Sequence, residues 1–359
     1  MRIGILISDI TRSGGTEKIT TTIANVFEDK FNEVTIISCY KSEPSLAFHL
    51  DKRISTVYLN EQCAKESKYG RVIDYFSLIR KLRKQLSSQS FDILLCQSFP
   101  MTFIGLMASK GLNLKVIACE HTSYEYYSPA IRSLTTKFYK KAAALVVINR
   151  TDAQKYSEEC STVCYIPNIV DAKAIPLSGR HVTPHHIVSV GRLEHHKGFD
   201  RLIRAMAEVI KSHPEAILSI YGDGTERDNL RLLINELHLD KNVCLKGVVT
   251  DQNVLYSDKS IYVLPSRIEG FGLVLVEAAS YGLPLIAFDC PNGPRDILIN
   301  DSGILVEDNN IEALSKAILH LIDSEADWSY YQQKSLKIPP LYVSDTIYQQ
   351  WENLFQRIQ

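Results

Sequence analysis

Short runs of Val, Ile and Leu alternate with longer segments of helical periodicity along this chain of 359 residues, and this alternation restricts its fold more than any other feature. Strands buried on both faces of a parallel sheet are apolar throughout, whereas half-exposed strands alternate with polar residues. In the first half, the apolar runs predict strands over residues 2–8, 34–39, 54–59, 91–96, 114–119 and 144–148. The first half therefore has the pattern of a Rossmann-like α/β domain.

The same pattern starts again in the second half, where apolar runs predict strands over residues 186–191, 217–221, 243–246, 261–264 and 285–288. Between the halves, the chain is interrupted by Pro167, Pro176, Gly179 and Pro184. We therefore predict two Rossmann-like domains, residues 1–170 and 185–340, each large enough to bury its own core. Open parallel sheets leave a crevice at the carboxyl ends of their strands, so we expect the functional cleft there, between the domains.

The cysteines and the amino terminus indicate where such a protein works. No pair among the eight cysteines forms Cys-x-x-Cys, and several lie in predicted strands, where a reduced thiol is a small apolar filler. The first apolar run is stopped by Asp9, too soon for a signal-peptide core or a membrane span. We expect a protein of the reducing cytoplasm without a transmembrane segment or a metal site.

Charge is distributed unevenly along the chain. Residues 1–170 carry 22 Lys and Arg against 16 Asp and Glu, a balance of +6, and the remainder of the chain has −7. The densest basic stretch, residues 71–84, combines apolar residues at helical spacing with a basic face. Such a helix can sit on anionic lipid headgroups, or it can cover a sheet and expose its basic face to solvent. Both interpretations remain open at this point.

A basic loop follows the first predicted strand of the second half. It runs from Gly191 to Gly198 and contains Arg192 and Lys197. A guanidinium grips two oxygens at once and an ammonium adds a compact charge, so this pair suits a diphosphate. His195 and His196 lie between them, but adjacent residues seldom converge on one ion, and we assign these histidines to the loop rather than to a metal.

Two glutamates eight residues apart form a second candidate segment. Glu277 falls on a helix predicted to begin near Gly272, whereas Glu269 precedes that helix on a Gly-rich loop. Carboxylates suit hydroxyl groups, and these two can meet different parts of one extended ligand. The amides at the helix start can face phosphate oxygens, and they belong to the segment that includes Gly270, Phe271, Gly272 and Leu273.

Further candidates follow other predicted strands. Gly14 and Gly15 come directly after the first strand, where glycines let a backbone approach a ligand, although Gly-Gly is also a common turn. His121 follows the strand ending near residue 119 and can hydrogen-bond a hydroxyl, or it can be a structural histidine. The segments Tyr221-Gly222-Asp223-Gly224 and Gly247-Val248 come after two strands of the second half.

The Arg-Lys pair and the Glu-x7-Glu segment, in this order with the glycine turn, His121 and Pro167-Asn168, resemble the retaining GT-B glycosyltransferases of family 4. That resemblance implies two Rossmann-like domains, the first binding the acceptor and the second the nucleotide-sugar donor. It also implies that a last helix, within residues 341–359, returns to pack on the first domain. The residues Tyr348, Trp351, Leu354 and Phe355 have suitable spacing for this docking.

The resemblance assigns roles to the candidate residues. Arg192 and Lys197 neutralise the diphosphate leaving group, and Gly191 belongs to the same donor-binding loop. Glu277 binds the ribose and Glu269 the donor sugar. Gly15 approaches the diphosphate or the acceptor, His121 binds a sugar hydroxyl, and Val248 lies near the base. The sequence contains no Asp-x-Asp, so we expect a metal-independent enzyme without a cofactor.

The resemblance also suggests substrates. The segment Pro291–Asp296 is similar to bacterial members that use UDP-sugars to build surface polysaccharides such as O-antigen, capsule and lipopolysaccharide, and Arg295 can touch the sugar or the acceptor. Family members often use lipid-linked glycan acceptors, which favours peripheral contact with the inner face of the plasma membrane and no nucleic acid partner. Two alternatives stay open: a UDP-sugar 2-epimerase on the same scaffold, and a non-catalytic polysaccharide-assembly scaffold.

Overall fold

The computed structural model describes residues 1–30, 32–63, 68–170 and 182–358, with the side chains of 68–73 left out. The chain divides into two compact units: Met1–Ile169 together with Ser344–Gln359, and Val170–Val343. The residues Pro176 and Gly179, which the sequence places in the linker, lie outside the described residues.

The first unit is built on a seven-stranded parallel sheet. Its strands are β1 (Arg2–Ile7), β2 (Glu33–Ser38), β3 (Ser55–Tyr58), β4 (Ile93–Gln97), β5 (Lys115–Glu120), β6 (Ala144–Val147) and β7 (Val163–Tyr165). Their order across the sheet is β3-β2-β1-β4-β5-β6-β7. The order reverses direction between β1 and β4, which creates the crevice typical of a doubly wound fold at the carboxyl ends of these strands.

Helices cover this sheet: α1 (Gly15–Asp29), α2 (Lys68–Ser88), α3 (Met101–Ser109), α4 (Pro129–Tyr139) and α5 (Arg150–Ser157). The central strands are buried on both faces, as Ile5 and Leu95 show with no exposed surface. This double burial explains why the strands read as uninterrupted apolar runs in the sequence. Burial also raises the pKa of the Cys39 thiol to about 12, so this cysteine is an inert apolar filler.

The last helix of the chain, α13 (Ser344–Ile358), belongs to the first unit. It packs on α1, where the ring of Phe27 meets those of Tyr348, Trp351 and Phe355 edge-to-face at centroid distances of 5.6–5.7 Å. Edge-to-face pairs add a specific attraction to the burial of apolar area. The return of the carboxy-terminal helix to the first domain is therefore confirmed.

The second unit repeats the architecture with six parallel strands. They are β8 (His186–Val190), β9 (Ile217–Tyr221), β10 (Val243–Gly247), β11 (Ile261–Leu264), β12 (Leu285–Phe288) and β13 (Ile304–Val306), in the order β10-β9-β8-β11-β12-β13. The helices are α6 (Phe199–Ser212), α7 (Arg227–Glu236), α8 (Gln252–Tyr256), α9 (Leu273–Ser280), α10 (Pro294–Ile297), α11 (Ile311–Asp323) and α12 (Glu325–Ser335). Two Rossmann-like units are thus present, as predicted.

The predicted strands agree with the observed ones to within about two residues at each end, but β7 and β13 were not predicted. Each contains three residues and lies at the edge of its sheet. Such short segments carry too few residues for an apolar run to stand out. Among the described residues, no helix has the length and apolar character needed to cross a bilayer.

Candidate functional site

Two loops lie side by side at the carboxyl ends of β8 and β11, because these strands are neighbours in the second sheet. The loop after β8 contains residues 191–198, and the loop after β11 contains residues 265–272. The backbones of the two loops are close at Gly198, which has φ +68°; a Cβ there would lie 2.1 Å from the Pro265 carbonyl oxygen. A side chain at Gly198 would therefore force the loops apart.

Two arginines join these loops. Arg267 donates to the His195 carbonyl oxygen at 2.9 Å and to both carboxylate oxygens of Asp200 at 2.7 Å. Arg201, only 2% exposed, donates to the Pro265 carbonyl oxygen at 2.7 Å and to Asp308 at 2.8 Å. Bidentate and charge-assisted hydrogen bonds are strong and directional, so they fix the position of both loops.

Sequence reasoning missed these two arginines. Arg267 carries no signal, since a single arginine on a loop is usually solvated. The sequence did carry a signal for Arg201. It lies four residues before Ala205, on the apolar face of α6 with Leu202 and Ile203. A charged residue on an otherwise buried helix face predicts a buried partner.

Lys197 and Glu269, one from each loop, form an ion pair with 2.6 Å between Nζ and Oε1. Ser266 donates to the same carboxylate oxygen, also at 2.6 Å. Glu269 is 7% exposed, so its charge is held by these two partners rather than by water. The structure therefore brings together two residues that the sequence placed in one site, and it pairs their opposite charges.

Glu277 lies on α9, which begins at Leu273 as expected. Gly272 caps the helix with φ +97° and contributes no side-chain hydrogen bond to the first turn. Tyr256 donates to Glu277 at 3.2 Å, and Glu277 is nearly buried. The fully buried Tyr262 lies close enough to both glutamates to interact with their charges. Burial, and then Glu269 and Glu277, raise the pKa of Tyr262 far above its ordinary value.

Arg192 is exposed, and within the described residues its guanidinium has no hydrogen-bond or ion-pair partner. Its positive charge affects the pKa of the nearby His196. Burial lowers the pKa of His196, and the cationic groups of Lys197 and Arg192 lower it further. A positive field of this kind disfavours imidazolium and favours an anionic ligand.

Glycines bring two further loops against this cationic loop. Gly222 has φ +137°, and a Cβ there would lie 1.9 Å from the Gly191 carbonyl oxygen. A Cβ on Gly224 would lie 2.4 Å from the carbonyl oxygen of Leu193. The Gly222 amide donates to the Gly247 carbonyl oxygen at 2.8 Å, so the segment that carries Val248 is held alongside.

Val248 itself is 70% exposed, which is unusual for valine and leaves an apolar surface for a planar ligand group.

The Pro291–Asp296 segment packs on the glutamate loop. Gly293 has φ +82°, and a Cβ there would lie 2.6 Å from the Phe271 carbonyl oxygen and 3.0 Å from the Glu269 Cβ. Arg295 does not share this contact, because its guanidinium pairs with Asp289. Gly293 therefore supports the position of Glu269, and the proposed ligand contact of Arg295 stays a prediction.

In the first unit, the candidates lie at the carboxyl ends of β1 and β5. Gly15 begins α1 and is exposed, and a Cβ added to it would meet nothing within 4 Å. Internal packing therefore does not require glycine there, and the predicted approach of a ligand to Gly15 stays a prediction.

His121 follows β5, and its Nε2 hydrogen-bonds the side chain of Gln97 at the end of the neighbouring β4. Burial lowers the pKa of His121 to about 4, so the ring is neutral at pH 7. Next to it, the buried Glu120 accepts hydrogen bonds from Tyr139, from Tyr127 at 3.2 Å and from the Thr122 amide at 2.8 Å. Glu120 holds the backbone that presents His121, and sequence reasoning missed it.

The neutral state of His121 has a measurable consequence. Because its folded pKa lies below the ordinary value of about 6.5, the unfolded state binds more protons between pH 6.5 and 4. The contribution of His121 to stability is therefore complete above pH 6.5 and is lost as pH falls toward 4. We expect melting temperature to fall less steeply over this window in His121→Asn than in the wild type. Parallel curves would contradict the neutral state of this half-buried histidine.

Comparison with known proteins identifies the class. The family model described as "Glycosyltransferase Family 4" matches residues 13–174, and "Glycosyl transferases group 1" matches residues 173–335. An uncharacterized glycosyltransferase of Haemophilus influenzae is 29% identical over 98% of this chain and 99% of its own length. The amylovoran biosynthesis glycosyltransferase AmsD of Erwinia amylovora is 26% identical over 98% of both.

Solved structures agree on the fold. The crystal structure of TarM matches with a TM-score of 0.84 and 16% identity over 99% of this chain and 98% of that one. A mutant of S. aureus TarM in complex with fondaparinux, α-GlcNAc-glycerol and UDP matches with a TM-score of 0.80 and 16% identity, over 99% of both chains.

The two Rossmann-like units give the chain the GT-B fold, and the two family models give it the class of glycosyltransferase. The chain belongs to the family 4-like glycosyltransferases, since the two family models between them match residues 13–335 and the relatives match nearly its whole length.

Proposed function

We propose that this glycosyltransferase moves a hexose or N-acetylhexosamine, with retention at the anomeric carbon, from a UDP-sugar to a glycan or lipid-linked glycan acceptor in surface polysaccharide biosynthesis. The observation that carries the proposal is the Lys197–Glu269 pair, whose lysine lies on the loop that also carries the exposed Arg192. A named polysaccharide enzyme among the relatives supports the pathway class, and the UDP complex of TarM supports the donor class.

Each part of the donor has a matching group. The diphosphate is met by Arg192, by Lys197 and by the amides at the start of α9, whose first turn lacks a side-chain cap. Glu277 accepts hydrogen bonds from the ribose hydroxyls, with Tyr256 fixing its carboxylate. Glu269 accepts from hydroxyls of the donor sugar. Val248 provides an apolar surface for the base.

The ion pair implies how binding prepares the site. When the diphosphate arrives, Lys197 exchanges part of its contact with Glu269 for phosphate oxygens, and Glu269 becomes available to sugar hydroxyls while Ser266 still holds it. The carboxylate is thus positioned before the ligand arrives, and little reorganisation is needed.

The chemical step follows from charge. As the bond between the anomeric carbon and the phosphate oxygen breaks, negative charge grows on the diphosphate, where Arg192 and Lys197 are preorganised to stabilise it. The acceptor oxygen attacks from the same face and its proton passes to the departing phosphate. This route needs no carboxylate nucleophile, unlike that of a retaining glycosidase.

The test is a screen of nucleotide sugars for UDP release with and without acceptor lipid extract, followed by mass analysis of the extended glycan. We expect release to depend on one UDP-sugar and product mass to rise by one sugar residue. Conversion of the UDP-sugar into its epimer without any acceptor would establish the epimerase instead, and absence of turnover with every donor would favour the assembly scaffold.

Metal independence is a further expectation, because two cations of the protein occupy the position where a divalent ion would stabilise the diphosphate. EDTA should leave the transfer rate at saturating donor within about twofold, since the electrostatic term is built into the protein. A complete loss of rate that manganese or magnesium restores would contradict this mechanism.

Peripheral membrane contact is the remaining part of the proposal, and α2 carries it. Phe76 is 72% exposed, and the exposed Arg80 and Lys84 follow it at four-residue intervals on the same helix face. Lys81 and Arg83 instead donate to backbone carbonyl oxygens, at 2.8 Å to Leu59 for Lys81. An exposed aromatic flanked by cations suits an anionic lipid surface.

We therefore predict salt-sensitive binding to anionic liposomes that Arg80→Gln with Lys84→Gln weakens. Each cation contributes about 1 kcal/mol near such a surface, so the double variant should lose roughly 30-fold in partitioning. Arg231→Gln with Lys241→Gln makes the same charge change in the second unit and should have no effect. Equal recovery of wild type with anionic and neutral vesicles at low salt would show that the basic face is merely solvated.

A further inference from the structure

A cluster of two histidines and two carboxylates lies at the amino-terminal edge of the second sheet, at the end opposite to the donor loops. His185 directly precedes β8, and Glu215 lies two residues before β9. His213 follows the last residue of α6, and Asp323 is the last residue of α11. The starts of two strands and the ends of two helices therefore meet at one point. A side chain that can bind a transition metal lies at or next to each of these four ends.

The distances within this cluster match those between metal ligands. The Nδ1 atoms of His185 and His213 lie 2.7 Å and 3.2 Å from the same oxygen of Glu215. All three ligand atoms fall within 4.8 Å of one another. In a tetrahedral zinc site with bonds of about 2.0–2.1 Å, neighbouring ligand atoms are about 3.3 Å apart. The three side chains can thus close around an ion with small rotations.

Asp323 completes the arrangement without contacting the ion. It accepts a hydrogen bond from Nε2 of His213 at 2.8 Å, which leaves Nδ1 of that ring for another ligand. A metal-bound histidine almost always donates its second N–H to such a carboxylate, which fixes the ring and increases its basicity. A surface ion pair would not require this two-sided use of one imidazole.

The backbone holds the ligands in place. The carbonyl oxygen of His185 accepts from the Ile217 amide at 3.0 Å, and that of His213 accepts from the Ala216 amide at 3.0 Å. Asn242 donates to the carbonyl oxygens of Pro214 and Ala216, both at 2.8 Å, on either side of Glu215. His185 adopts φ +57°, a conformation that is uncommon for a residue other than glycine.

We propose that His185, His213 and Glu215 bind one zinc ion, with Asp323 positioning His213 and water as the fourth ligand. Two imidazoles and a carboxylate are ligands that suit zinc among the common divalent metals. On binding, each ring becomes a neutral imidazole that keeps its one proton on Nε2: His185 shifts its proton from Nδ1 to Nε2 by exchange with solvent, and His213, when it is imidazolium, releases its Nδ1 proton to solvent. The Nδ1 lone pair of each ring then forms the bond to the metal. The ion ties the end of α6 to the starts of β8 and β9, so it stabilises the second unit and takes no part in transfer.

The experiment is a zinc titration of the tag-free, chelator-treated chain, measured by competition with a chromophoric chelator and by melting temperature. We expect one zinc per chain and a rise in melting temperature of about 5 °C at 100-fold excess over Kd. His185→Asn, His213→Asn and Glu215→Gln should each weaken binding at least 100-fold, and Asp323→Asn about 10- to 100-fold.

His320→Asn is the matched control. It removes another exposed imidazole, one that pairs with Asp327 at 3.5 Å and lies on the same helix as Asp323. This variant should bind zinc as the wild type does. Wild type without bound zinc, or variants of the three ligands with unchanged affinity, would overturn the proposal. Glu215→Gln keeps the shape of the side chain, so it decides the matter if a histidine variant fails to fold. Because the readouts are binding and melting, the result does not depend on identifying the sugar donor.

Discussion

Replacing Arg192 by Ala should lower kcat about 10²- to 10³-fold and leave the melting temperature unchanged. Loss of one preorganised donor to a developing oxyanion costs about 2.7–4 kcal/mol, and Arg192 has no partner among the described residues whose loss could unfold the protein. Arg204→Ala removes another exposed guanidinium, on α6, and should retain full activity. The measurement is initial rate at saturating donor, alongside thermal unfolding.

Lys197→Ala should lose a comparable amount of activity and also stability, because it leaves the nearly buried Glu269 carboxylate without its cation. The double variant Lys197→Ala with Glu269→Gln separates the two effects. Removing the stranded charge should restore the melting temperature toward that of the wild type, while activity stays low. Near-normal transfer by Arg192→Ala and Lys197→Ala at saturating donor would show that the diphosphate binds elsewhere.

Gly15→Val should abolish most of the activity while preserving the fold. No protein atom lies within 4 Å of a Cβ at this position, so the fold has room for the side chain. Misplacement of a substrate by about 1 Å can cost 10²-fold in rate, and we expect a loss of about that size for Val. Gly15→Ala should lose less, which makes the series graded.

Unfolding curves and donor titrations of the Gly15 variants together test this prediction. The melting temperatures of Gly15→Ala and Gly15→Val should equal or exceed that of the wild type, because glycine lowers helix stability. The ligand approach to Gly15 would be refuted by a valine variant that transfers sugar at the wild-type rate. A valine variant that unfolds early would instead show that the glycine serves the turn.

The sequence was sufficient for the features that repeat along the chain. Apolar runs in the sequence predicted the strands that are buried on both faces. Gly272, followed by an apolar helical segment, predicted the start of α9. The docking of α13 was visible because Trp351 and Phe355 recur at helical spacing. Each of these signals is local, so one segment of sequence carries it whole.

Pairings between distant segments were not predictable. Lys197 and Glu269 are 72 residues apart, and nothing in either segment shows that they share a hydrogen bond. Tyr256 and Glu120 act through partners that only the folded backbone brings near. The histidine cluster was not predicted for the same reason, since His213 and Asp323 are 110 residues apart and meet only once α6 and α11 have packed.

The position of α13 bears on the order of events during synthesis. The ring of Phe27 is covered by three aromatic residues that lie more than 300 positions later in the chain. Until α13 has been synthesised, the apolar surface of the first unit around Phe27 therefore stays exposed to solvent. The second unit is continuous in sequence, so it can complete its core as soon as it emerges. We infer that the first unit completes its core after the second unit does. A nascent chain stalled before Ser344 is then the species most in need of a chaperone.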